Sequence, residues 1–200
     1  MHSASSRALL TAAFALVPSF AFAHTGVSEA HDAMHGFVHP LGGLDHVLAM
    51  VAVGIFATQL GGRAIWLVPT SFILAMITGG ALGMTGIHLP LVETLIAVSV
   101  IALGAVICLN VALPVAGAMA LVAIAAVFHG FAHGVEMPET MSGLAYGAGF
   151  VAATALLHLA GIALGFAINA IGASSSKIVR GAGGAIALAG IAVLVGLLAS

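Results

Sequence analysis

The chain has 200 residues, of which 62% are hydrophobic and 5% charged, with a formal net charge of −2. A water-facing surface ordinarily needs about 25% charged residues, so a soluble globular protein is excluded. No basic surface exists for nucleic acid, and the composition describes an integral membrane protein.

The 26 glycines are dispersed, as suits membrane helices that approach through small residues. The lone cysteine, Cys108, allows neither a disulfide framework nor a CxxC thiolate site. Ten histidines against four lysines and arginines is the unusual ratio. Histidine is the side chain that binds metals or titrates near neutral pH.

In chain order, Arg7 precedes an apolar run that ends on Ala21-Phe22-Ala23, the pattern of a secretory signal peptide over residues 1–23. Cleavage there would make His24 the mature N-terminus. Residues 24–38 follow as a histidine-rich periplasmic segment in which His24, His31 and His35 accompany Glu29 and Asp32. This segment is able to hold a cation loosely, and a solvated tail is an equally good reading.

Taking about 20 apolar residues per span, residues 39–200 divide into six transmembrane helices near 39–60, 64–84, 90–110, 113–135, 143–171 and 180–199. The expected fold is thus an all-α membrane bundle after a cleaved signal peptide. The fifth span is long enough to tilt or break. With the N-terminus exported, Arg63, Lys177 and Arg180 fall in cytoplasmic loops, and both termini lie outside.

That topology puts two polar constellations in one leaflet. In "HPLGGLDH", Pro40 suits a first helical position with His39 at the cap, and His39 and His46 share a face if the helix is regular. Asp45 lies beside His46, and Gly42-Gly43 are able to loosen that turn. In "FHGFAHGVEMPE", His129 and His133 are one turn apart on one face, the spacing with which two imidazoles grip one ion. Glu136 returns to nearly the same face, and Gly130 and Gly134 form GxxxG. A polar bundle interior of hydrogen-bonded histidines is the competing account. Glu93 lies at the same level, and His158 falls near the middle of the fifth span as a second candidate on a metal path.

At these motifs the chain resembles the HupE/UreJ family of nickel permeases associated with hydrogenase and urease maturation. "HPLGGLDHVLAMVAVG", "FHGFAHGVE" and the six-span layout carry the resemblance over essentially the whole chain. It implies Ni²⁺ uptake into the cytoplasm across the inner membrane, with His39, Asp45, His46, His129, His133 and Glu136 as the metal-handling residues. The H-x5-D-H spacing is one residue longer than the H-x4-D-H of the larger nickel/cobalt transporter family, which argues against membership there.

No GxxxxGK[ST] phosphate loop is present, so the expected activity is a secondary permease or channel and not an enzyme. The divalent cation is cargo, with no tightly bound cofactor. Imidazole and carboxylate suit Ni²⁺, Co²⁺ or Zn²⁺ alike. Two other readings use the same residues. Histidines on different helices can ligate haem in a redox protein, and "HGFAH" resembles half of the HExxH of a metal-dependent hydrolase but lacks its glutamate.

Overall fold

A computed structural model describes residues 25–199, and the signal-peptide reading and His24 lie outside the described residues. Every regular element among them is helical. In order they are α1 (Thr25–Val38), a 3-10 turn (His39–Leu41), α2 (Leu44–Leu60), α3 (Ala64–Gly83), α4 (Val92–Cys108), α5 (Val115–Glu136), α6 (Gly143–Asn169) and α7 (Ser175–Ala199). Four helices, α3, α5, α6 and α7, are each long and apolar enough to cross a membrane. The bent pair formed by α1 with its turn and α2 makes a fifth candidate, and α4 is a shorter apolar helix of 17 residues. The chain is a multi-pass membrane protein.

Helix α2 sits at the centre. Ala49, Met50, Ala52, Val53, Ile55, Phe56 and Ala57 are all buried, so nearly every face of this helix meets protein. A helix apolar all round has no solvated stripe to orient it, and its place is fixed by packing against its neighbours. Large apolar side chains such as Trp66, Leu74, Leu156 and Leu188 stay exposed on the surrounding helices. In hydrocarbon such exposure is favourable, because no water is there to be ordered.

The most extensive helix pairing is α3 with α5. It rests on interlocked glycines: a Cβ on Gly79 would strike the Val127 carbonyl and one on Gly83 the Phe131 carbonyl, while Gly130 and Gly134 lie against the carbonyls of Met76 and Gly80. The GxxxG on α5 therefore meets a second one on α3, and backbone packs on backbone. Gly161 and Gly165 likewise pack on Val51 and Thr58 of α2, within the chain.

The expected first span differs from a regular helix in a way that matters for the site. His39–Leu41 continues α1 as a 3-10 turn, the chain breaks at Gly42-Gly43, and α2 begins at Leu44 at 83° to what precedes it. His39 is therefore not the cap of a continuous 39–60 helix. Consecutive glycines have low helix propensity, and Gly43 takes the extended conformation of an N-cap at φ −96° and ψ 117°. The segment before the break is helical and packs on α6, with Gly36 against the Tyr146 carbonyl and Gly149 against that of Ala33. The side chain of Asp32 accepts a 2.9 Å hydrogen bond from the Ser142 amide and ties the two helices. Helix α6 itself runs unbroken over 27 residues.

Candidate metal centre

The last turns of α5 carry His129, His133 and Glu136, and the first turn of α2 carries Asp45 and His46. The elbow between α1 and α2 swings His39 over the end of α5. There its Nε2 lies 2.9 Å from Glu136 Oε2, and His133 Nδ1 lies 3.6 Å from the same oxygen. One donor atom from each of His39, His133 and Glu136 falls within 4.8 Å of the others. Around a first-row ion with bonds near 2.1 Å, neighbouring donors stand about 3 Å apart and opposite ones about 4 Å. The three groups thus form a cup slightly wider than a closed site.

Behind the cup the imidazoles meet edge to face. His133 meets His39 at 4.9 Å and His46 at 4.2 Å between ring centres, and His46 meets His129 at 4.7 Å. His46, His129 and His133 are buried, so their ring nitrogens depend on protein for partners.

Two tautomers follow from the hydrogen bonds. Asp45 Oδ1 accepts from the His46 amide at 2.9 Å and lies 2.9 Å from His46 Nδ1, so Nδ1 carries the proton and Nε2 keeps its lone pair. Ser99 Oγ donates to the Ile96 carbonyl at 2.7 Å, so it accepts from His129 Nε2 at 2.9 Å, and the lone pair of His129 falls on Nδ1. The free nitrogens, His46 Nε2 and His129 Nδ1, have no hydrogen-bond partner, nor do Nδ1 and Nε2 of His133. Buried polar atoms are rarely left so. A row of neutral imidazoles with bare lone pairs is a set of ligands for a cation of intermediate softness.

The matching family model is described as HupE / UreJ protein and covers residues 12–193. The chain belongs to the HupE/UreJ family. It is similar to Protein HupE of Rhizobium leguminosarum bv. viciae, with 47% identity over 191 residues that make up 96% of this chain and 98% of the relative. No solved structure matches.

In this HupE/UreJ chain the six residues singled out from the motifs occupy distinct places. His39, His133 and Glu136 converge, His46 and His129 lie in ring contact behind them, and Asp45 is engaged with His46 and does not join the convergent set. Glu93 shares with Glu136, His88 and Glu139 a cavity of about 530 Å³ that opens beside the cup. His35 stacks on His39 at 6.1 Å and His31 follows at 6.4 Å, so α1 presents imidazoles down to the cup. His158 is apart from all of these, deeper along α6.

Sequence reasoning overlooked Ser99 and Tyr146. Ser99 is an isolated buried hydroxyl in an apolar helix, and that isolation was its one signal. Tyr146, the chain's one tyrosine, stands 6.1 Å from His35 and 6.0 Å from His39 and walls the cup on the α6 side.

Proposed function

We propose that the protein is a secondary permease that takes up divalent nickel, with cobalt as the nearest alternative, across the cytoplasmic membrane through the site at the ends of α2 and α5. HupE/UreJ membership supports nickel or cobalt transport and a link to hydrogenase or urease maturation. The observation that carries the reading is the convergence of His39, His133 and Glu136 at the rim of a bundle whose neighbouring imidazoles keep free lone pairs.

In this reading six helices, α2 to α7, span the inner membrane after a cleaved signal peptide, with both termini outside. The carboxylate of Glu136, half exposed, attracts the hydrated ion from the cavity it shares with Glu93. His39 and His133 replace part of the water shell, and the ion then exchanges onto His46 and His129. Asp45 holds the His46 tautomer and partly balances the ion's charge, as carboxylates behind histidine ligands do. Exposure of Glu136 and His39 keeps the outer ligands exchangeable, which a carrier needs and a structural site does not. His35 and His31 extend the ligand set toward solvent.

Ni²⁺ and Co²⁺ accumulation in cells expressing His46→Ala or His133→Ala at wild-type levels tests the proposal. Background uptake is expected, and wild-type accumulation would refute it. Reconstituted vesicles offered Ni²⁺, Co²⁺, Zn²⁺ and Mn²⁺ in competition, with and without a pH gradient, identify cargo and coupling in one assay.

A further inference from the structure

Away from the cup, His158 poses a separate problem. It lies three turns along α6 from Tyr146, about 18 Å by helical rise, and is 1% exposed. Neither Nδ1 nor Nε2 has a hydrogen-bond partner. A histidine that served only packing would be better replaced by leucine or phenylalanine, because an orphaned buried imidazole forfeits the hydrogen bonds it had in water.

Its surroundings are specific. The ring of Phe72 on α3 stands perpendicular to that of His158 at 5.1 Å, and the same ring is 6.0 Å from His129. One turn away on each helix, Thr154 Oγ1 contacts Met76 Sδ at 3.5 Å. Phe72 and Met76 are thus one turn apart on α3 and face His158 and Thr154, one turn apart on α6, in antiparallel register. Thr154 and Met76 are also buried. The patch offers an imidazole, a thioether and a hydroxyl, all neutral, and is separated from the last imidazole of the outer site by a single aromatic ring.

We propose that His158, flanked by Met76 and Thr154, is a second, transient station for a divalent cation of the nickel type in the middle of the bundle, and that Phe72 is the gate between it and His129. The inference rests on the permease reading. The transfer is a ligand exchange: a lone pair of His158 forms a dative bond to the ion as His129 releases its own, with no change of oxidation state and no proton lost from a neutral imidazole. Because these donors are neutral and include sulfur, they accept nickel, cobalt or softer cations. Mg²⁺ and Ca²⁺, which need several oxygen ligands, are refused. Without a carboxylate beside it the ion is held only briefly, which suits a step that must pass it on. The face of Phe72 can attract the cation as it passes.

The test separates capture from passage. Equilibrium Ni²⁺ binding by the purified protein and initial Ni²⁺ uptake into vesicles are measured for wild type, His158→Leu and His158→Cys. His158→Leu is expected to keep equilibrium binding within about twofold while uptake falls about tenfold or more. His158→Cys is expected to restore uptake in part and to raise Cd²⁺ over Ni²⁺ in competition, since thiolate favours the softer ion. Wild-type uptake by His158→Leu would overturn the inner station and leave the outer site standing. If the leucine variant does not fold, an unchanged Cd²⁺ to Ni²⁺ preference in the cysteine variant overturns it instead. Absence of Ni²⁺ binding by the wild-type protein would remove the outer site, and this station with it.

Discussion

Glu136 is held to His39 at 2.9 Å and is half exposed, so its charge is available to an arriving ion. Glu136→Gln preserves size and a hydrogen bond to His39 but removes the charge. Affinity for Ni²⁺, measured by titration of the purified protein, is expected to fall about tenfold or more, a loss of about 1.4 kcal/mol or greater. Asp45 acts through His46, and Asp45→Asn no longer enforces the tautomer with a bare Nε2. A loss of about 10- to 100-fold in affinity is expected, the range for outer-shell partners of histidine ligands. An imidazole ligates only through a nitrogen that carries no proton. Proton and metal compete for the same lone pair, so uptake is expected to fall as the medium is made more acidic. A rate that rises on acidification, in vesicles without a pH gradient, would contradict neutral-histidine ligation. At this scale the sequence was informative where residues lie on one helix: the spacing of His129, His133 and Glu136 is local and survives in the structure. Ser99 and Phe72 went unread because they touch these histidines across helix boundaries, and no local periodicity encodes such contacts.

The elbow at Gly42-Gly43 is where an element changes the site. A Cβ on Gly43 would fall 2.9 Å from both Asp45 Oδ1 and His46 Nδ1, whereas one on Gly42 would meet only the His39 carbonyl at 3.4 Å. Both glycines have backbone angles open to alanine. Gly43→Ala is therefore expected to displace the Asp45–His46 pair and weaken Ni²⁺ binding while the protein folds, and Gly42→Ala to bind as wild type does. Equal affinities for the two variants would contradict the assigned role of the pair. The glycine pair was visible in the sequence as a weak point, but the 83° turn was not. Its direction depends on α1 lying against α6 through Gly36 and Gly149, a fit between residues more than a hundred positions apart. The helical state of α1 was equally hidden, since its polar and glycine-containing sequence has little helical preference of its own and gains order from that packing.

For the whole molecule, the cup joins parts that are otherwise separate in sequence: the elbow, the end of α5, and the wall supplied by α6. An ion that binds the folded protein and not the unfolded chain stabilises it in proportion to the logarithm of its concentration. The gain is about 2.7 kcal/mol at a hundredfold excess over Kd. Thermal unfolding in detergent is expected to shift upward with Ni²⁺ in the wild type and to stay in place for His133→Ala. The bundle architecture was legible because hydropathy alone divides such a chain into apolar helices of membrane length. What hydropathy left open was the order of packing, which the glycines decide.

The glycine seam between α3 and α5 bears on how fast and by what motion an ion moves. With carbonyls of one helix seated on glycines of the other along several turns, those two helices cannot slide without a collective rearrangement of the kind that takes microseconds to milliseconds. Phe72, Met76 and His129 all ride on this fixed frame, and side-chain rotations on it are orders of magnitude faster. Passage by ring rotation within a still scaffold should then be nearly indifferent to the viscosity of the surrounding lipid. Ni²⁺ uptake compared in fluid and in stiff bilayers gives the reading: similar rates are expected, and a steep slowing in the stiff bilayer would show that whole helices must move.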